Sequence, residues 1–360
     1  MKRKIVFENG REFVGEAFGS TKDVISEVVF NTNVVGYQEI LSDPAYTDLS
    51  IVMTYPLIGN YGIIDEDFDS KIIGAKALIT SEYNDKPSNF RYANTLAETL
   101  KEYDVSGVTH VDTRAITRML AREGTMKAAI CDEKTTKATA LKRIKAYKTP
   151  KDQIKRVSCK KIWYSRCSNP KYNVVALDMG ITSHNLVDLN KNGINVTVVP
   201  YETSLEKIKA LRPDGIFLSK GPGNPKNAKH AIELVKKLQG KYPIMGISLG
   251  LEILALANGL DVKKMKVGHR GSNHSIRDEK NGKLFVVNQN HGYVVKDFKK
   301  KGFEVTCRDV MDNTIEGIDI PGKRAFGVQY YPNSIVNPEN SKAVIDKFIK
   351  YMGKKGGRNA

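Results

Sequence analysis

Short apolar runs, cut by Gly, Asn, Asp and Pro, fill the first 130 residues. Residues 4–7, 24–31, 50–54 and 73–80 are β-rich and bounded by turn formers, so the pattern predicts strands there. In the stretch 111–123, VDTRAITRMLARE, Ile116, Met119 and Leu120 recur at helical spacing; Asp112 or Thr113 supplies a cap and Gly124 a stop. From Tyr172 the rhythm becomes strand then helix. Residues 174–178 (VVALD), 194–200 (INVTVVP), 215–219 (GIFLS) and 243–248 (PIMGIS) are apolar strands. The third is followed by the loop KGPGNP and an amphipathic helix with Ile232, Val235 and Leu238, and the fourth runs straight into a helix at 249–257. Such alternation predicts a parallel sheet covered on both faces. Residues 284–288, 303–308 and 325–329 read as further strands.

Between these halves the pattern weakens. Residues 131–172 are lysine-rich, with Pro150 and Pro170 and little apolar periodicity, which predicts a helix and a linker. The expected division is a domain over 1–150, a basic linker over 151–171, a second domain over 172–353 and a loose tail over 354–360.

Composition narrows the function classes. With 360 residues, two domains are the natural count. An apolar share of 41% and a charged share of 27% fit a globular chain and exclude collagen-like or wholly disordered ones. No apolar run approaches the ~18 residues of a membrane-spanning helix, and only Ile5, Val6 and Phe7 follow the basic start, too few for a signal-peptide core. Cys131, Cys159, Cys167 and Cys307 are too scattered for a disulfide framework and show no zinc-type spacing, so no metal site is expected and a reducing cytoplasm is. The net charge of +17 raises the question of a nucleic-acid partner. Residues 1–130 carry an acidic excess; the basic excess lies after them. The run 296–301, KDFKKK, comes with no nucleic-acid-binding motif and reads as a solvated face. Neither a membrane nor a nucleic acid is expected as partner.

The chemistry-bearing motifs lie in the second half. Gly246-Ile247-Ser248-Leu249-Gly250 fits G-x-S-x-G at a strand-to-helix junction, the pattern of a nucleophile elbow; the same glycines also suit a tight turn with no chemistry. A serine there needs a base, and His269, His274 and His291 follow it without a spacing that selects one. The loop Gly221-Pro222-Gly223-Asn224-Pro225 leaves a strand end, where open α/β sheets bind ligands. Segments 268–274 (GHRGSNH) and 289–293 (QNHGY) read as ligand loops or as satisfied polar turns.

Residues 27–63, EVVFNTNVVGYQEILSDPAYTDLSIVMTYPLIGNYGI, together with Ser88-Asn89-Phe90-Arg91 and VDTRAITRMLAREGTMKAAI, resemble the N-terminal domain of the small subunit of carbamoyl phosphate synthetase. LSKGPGNP, MGISLGLEILALANG, KMKVGHRGSNHSI, QNHGYVV and FGVQYYP resemble that subunit's class I glutamine amidotransferase domain. The resemblance implies an α/β fold: a mixed β/α domain, then an amidotransferase-like domain with a mainly parallel central sheet flanked by helices. It implies glutamine hydrolysis by an elbow cysteine with a late His-x-Glu pair, and ammonia passed to a large subunit for arginine and pyrimidine synthesis. ATP, magnesium and bicarbonate are then expected only on the large subunit, and no cofactor on this chain.

The sequence departs from that pattern at the reaction centre. Ser248 stands at the cysteine position, Tyr331 at the histidine position and Asn333 at the glutamate position. Of the glutamine-site positions Ala45, Gly221, Gly223, Leu249, Glu252, Asn290, Gly292 and Tyr293, Ala45 replaces a serine and Glu252 a glutamine; Lys220 and Asn224 also differ. Phenol and amide replace base and orienter, so the reading is a pseudo-glutaminase with weak or no glutamine binding. An active glutaminase drawing its base from His269 or His291, and a serine hydrolase on the elbow, are the alternatives.

Overall fold

The computed structural model describes residues 1–334 and 337–353; the expected tail, 354–360, lies outside the described residues. The chain divides into two compact units, Met1–Pro150 and Lys151 onward.

In the first unit, seven strands close into a barrel in the order Lys2–Phe7, Glu12–Gly19, Ser106–Thr109, Ala77–Ile79, Leu49–Met53, Val24–Asn31 and Met126–Asp132. The run 73–80 yields only the three-residue strand Ala77–Ile79, and Gly74 packs closely against Thr47. The helix Thr113–Glu123 begins where Asp112 Oδ1 accepts the Ala115 N–H at 2.8 Å and ends at Gly124, whose φ is 103°. Its apolar stripe, Ile116, Met119 and Leu120, is buried against Ile5, Phe7, Val28 and Val52 of the barrel. Ala45 sits in the 3-10 turn Pro44–Tyr46, its N–H bonded to Asp43 Oδ1 at 2.9 Å.

The second unit is built on a ten-stranded sheet. Ile194–Pro200, Tyr172–Asp178, Gly215–Leu218, Ile244–Ile247 and Ala325–Val328 lie side by side and run parallel. Alternate residues serve opposite faces: Val175, Leu177, Ile216 and Leu218 belong to one core, and Val174, Ala176 and Phe217 to the other. The helices Lys229–Leu238 and Leu249–Ala257 cover the first face; Ser183–Lys191 and Pro338–Gly353 contribute to the second. Beyond Ala325–Val328 the sheet continues antiparallel through Ile315–Ile320, Glu304–Asp309, Val262–Asp278 and Leu284–Val295.

Two expectations are corrected. Residues 151–171 are not a bare linker: Gln153–Val157 is a helix whose Ile154 enters the core, and Trp163–Ser165 pairs antiparallel with Ile194–Pro200. Segments 268–274 and 289–293 are not loops: they pair within a long antiparallel ribbon, His269 opposite His291 and Arg270 opposite Asn290. Their glycines mark register shifts rather than chain reversals. No helix among the described residues is long and apolar enough to cross a membrane.

Candidate active site

Gly215–Leu218, Ile244–Ile247 and Ala325–Val328 are neighbours in the parallel sheet, so the segments leaving their carboxyl ends converge. These carry Lys220 and Gly221, then Ser248, then Tyr331. Ser248 joins its strand to the helix Leu249–Ala257 with φ 52° and ψ −110°, a backbone conformation L residues rarely adopt. The turn is held by the Ser248 N–H on the Val328 carbonyl at 2.8 Å and the Glu252 N–H on the Ser248 carbonyl at 3.1 Å. A Cβ on Gly250 would press into the Leu218 carbonyl, and one on Gly221 into the Met179 carbonyl. The packing of the elbow therefore requires both glycines, while the Ser248 side chain makes no capping bond to its helix.

At the position expected for a base, the Tyr331 hydroxyl donates to the Asn290 carbonyl at 3.0 Å. The Lys220 ammonium lies 3.9 Å from the Tyr331 ring centre, and only 2% of Lys220 is exposed. Asn333 is half-buried, and its carbonyl accepts the Asn337 N–H at 2.9 Å. Gly223, at φ 87°, packs against Gln153, and Leu249 is buried beside Gly221. Ala45 belongs to the other unit. Glu252 is buried, and Gln329 Nε2 donates to its Oε1 at 2.9 Å. Burial pushes the Glu252 carboxyl up to about 7, opposed by the Gln329 bond and reinforced by the charge of Glu316.

Residues 5–130 match the family described as "Carbamoyl-phosphate synthase small chain, CPSase domain", and residues 175–351 match "Glutamine amidotransferase class-I". The "Carbamoyl phosphate synthase pyrimidine-specific small chain" of Bacillus subtilis is 44% identical over 98% of this chain and 96% of its own length. The "Carbamoyl phosphate synthase small chain" of Bacillus caldolyticus is 43% identical over 99% of both chains. The chain belongs to the carbamoyl phosphate synthase small-chain family.

Against that membership, the histidines are placed unexpectedly. His269 and His291 turn toward each other, ring centres 5.1 Å apart, and His274 lies 4.8 Å from His269. His269 Nδ1 and His291 Nε2 are each 2.8 Å from Gln289 Oε1; the outer nitrogens face Asp312 Oδ2 at 3.1 Å and the Tyr293 carbonyl at 2.8 Å. Both nitrogens of both rings are thus engaged within this cluster. Burial pulls the His269 pKa down, but bonds to Asp312 and Glu316 outweigh it and push it up to about 10; burial and the charge of His269 hold His291 well below the usual range. Asn290, Gly292 and Tyr293 follow on the strand of Gln289, with Arg270 close to Gly292. Lys220 was legible only as a departure from the family pattern. Glu316 was missed, although a lone acid in the apolar strand Ile315–Ile320 (IEGIDI) is a signal in itself.

Proposed function

We propose that this chain is a carbamoyl phosphate synthase small subunit that no longer hydrolyses glutamine. It acts as a structural or regulatory partner of a large subunit that uses free ammonia and that alone carries ATP, magnesium and bicarbonate. The observation that carries this reading is the Tyr331 hydroxyl donating to the Asn290 carbonyl beneath the Lys220 ammonium. A phenol hydroxyl that donates its hydrogen bond to a carbonyl is no base at neutral pH, and a serine hydroxyl without a base is no nucleophile. Asn333 has no charge with which to support an imidazolium. Ala45 and Glu252 weaken glutamine binding in the same reading. The setting is pyrimidine or arginine biosynthesis in the cytoplasm, pyrimidine synthesis being the pathway named for the Bacillus subtilis relative.

The test is to purify the chain with its large subunit and compare ammonia and glutamine as nitrogen donors while following glutamate release. Carbamoyl phosphate from ammonia with no glutamate from glutamine is the expected result. Glutamine turnover at the rate of an ordinary family member overturns the reading. The strained backbone at Ser248 supports one second reading, a serine hydrolase acting on another substrate. Labelling of Ser248 by a fluorophosphonate would favour it; an unlabelled chain removes it.

A further inference from the structure

Four side chains converge on one buried volume in the antiparallel part of the sheet. His269 and His291 face each other across paired strands, Gln289 projects from the strand of His291, and Glu316 reaches in from Ile315–Ile320. His269 Nδ1 lies 3.6 Å and His291 Nε2 3.8 Å from Glu316 Oε1, and both lie 2.8 Å from Gln289 Oε1. Gln289 and Glu316 are wholly buried, and both histidines nearly so.

The cluster can be closed by either of two cations, a proton or a metal. A metal requires both imidazoles neutral, each carrying one N–H. The outer nitrogens of His269 and His291 face a carboxylate and a carbonyl, both acceptors, so each ring directs its proton outward. The inner nitrogens then present lone pairs, and opposite them stand two oxygens that also present lone pairs. The Thr314 hydroxyl is 3.4 Å from Glu316 Oε1, but its one proton goes to Asp312 Oδ1 at 2.6 Å. Buried acceptors so gathered are costly unless a cation lies among them; without a metal, the second proton of His269 fills that place, and a bound metal displaces it. Asp309 Oδ2 adds negative charge at the border of the cluster: it is buried, and lies 3.8 Å from both His269 Nδ1 and His274 Nδ1.

We propose that His269 Nδ1, His291 Nε2 and Glu316 Oε1 bind a divalent metal of the zinc class, with Gln289 Oε1 as the fourth donor. Bonds of about 2.0–2.2 Å in a tetrahedron put donors roughly 3.3–3.6 Å apart, and the four separations given above, 2.8 to 3.8 Å, bracket that spacing. Two imidazoles with oxygen donors suit zinc, cobalt or nickel rather than magnesium or calcium. Asp312 on His269 and the Tyr293 carbonyl on His291 fix each tautomer as outer partners do around bound zinc. Four protein donors leave no open position, so the metal is structural, joining three strands, one of which carries Asn290, Gly292 and Tyr293. The half-exposed Asp312 side chain marks the side of entry. This inference stands whether or not glutamine is hydrolysed.

Metal analysis of the purified full-length chain, after dialysis against metal-free buffer and zinc re-addition, tests it. One equivalent of zinc is expected to be retained and to raise the unfolding midpoint, and cobalt(II) is expected to give the visible bands of a tetrahedral site. Glu316→Gln and His269→Gln should each weaken zinc binding by about tenfold or more. His230→Gln, at an imidazole remote in sequence from the cluster, should leave binding unchanged. A chain that retains no zinc, gains no stability and shows no cobalt bands overturns the proposal; the network is then closed by a proton on His269 or a rotated Gln289 amide. Zinc binding that survives in His269→Gln/Glu316→Gln overturns it equally. Where a variant fails to fold, the metal content and cobalt spectrum of the unaltered chain decide.

Discussion

The Lys220 ammonium stands 3.9 Å from the centre of the Tyr331 ring, both residues buried where three parallel strands end. The two residues, distant in sequence, follow the strands on either side of Ile244–Ile247 and form a single contact. Tyr331→Phe removes the hydroxyl bond to the Asn290 carbonyl and Tyr331→Leu removes the π face as well, so Leu is expected to be less stable than Phe by about 2 kcal/mol, read by urea denaturation. A difference indistinguishable from zero would show that the contact contributes nothing.

On the proposed reading that glutamine is not hydrolysed, the same contact limits any attempt to install glutaminase activity. Ser248→Cys, Tyr331→His and Asn333→Glu together should give only partial glutamate release, because the buried Lys220 ammonium disfavours a neighbouring imidazolium and Glu252 and Ala45 remain. Adding Lys220→Asn should raise the rate of the triple variant. Full family-like turnover from the triple variant alone would remove Lys220, Glu252 and Ala45 from the account.

Ser248 occupies a backbone conformation suited to glycine, and strain of this kind costs about 1–3 kcal/mol. If no catalysis depends on it, the strain can be released without loss of function. Ser248→Gly is expected to be more stable than Ser248→Ala by roughly 1 kcal/mol, seen in the thermal midpoint. Equal midpoints would mean that the elbow is not strained. Neither substitution should change carbamoyl phosphate formation from ammonia.

Glu252 titrates near 7 in the folded chain, against about 4.3 for an unperturbed glutamate. Its folded pKa is raised, so the folded state holds the extra proton through this window. Stability from that proton is fully present below the unfolded pKa and is lost as pH rises through about 7. Glu252→Gln keeps the acceptor for Gln329 and removes the titration. Between pH 5 and 8, unfolding free energy measured at a series of pH values should fall less steeply for the variant. Parallel curves would place the titration elsewhere.

The parts of the fold that rest on local patterning were legible in the sequence. Ile116, Met119 and Leu120 marked a helix, and the Gly-bracketed Ser248 marked a strand-to-helix elbow, because spacing and turn chemistry are local properties. The ribbon carrying His269 and His291 was not legible. Its glycines look like loop formers, and only pairing across the sheet shows them to be register shifts. Trp163–Ser165 was hidden for a similar reason: a three-residue edge strand amid lysines has no periodicity to read. The site divides along the same line. Ser248, Tyr331 and Asn333 follow from alignment to a pattern, whereas the meeting of Lys220 with Tyr331, and of Glu316 with the histidines, is a property of the fold alone.

Closure of the seven-stranded barrel has a consequence for self-association. A closed sheet has no open edge, so the barrel itself offers no row of free backbone groups to a second chain. The ten-stranded sheet does end, at Trp163–Ser165 and at Leu284–Val295, where Leu284 and Val286 are exposed. Lys160, Lys161 and Arg166 flank one terminus, and Lys280 and Lys283 the other, all exposed. Like charges brought together at an edge repel, which is how natural sheets guard against fibrous stacking. Part of the basic excess of this chain therefore works as a colloidal safeguard, holding copies apart at the strands through which they could otherwise polymerise.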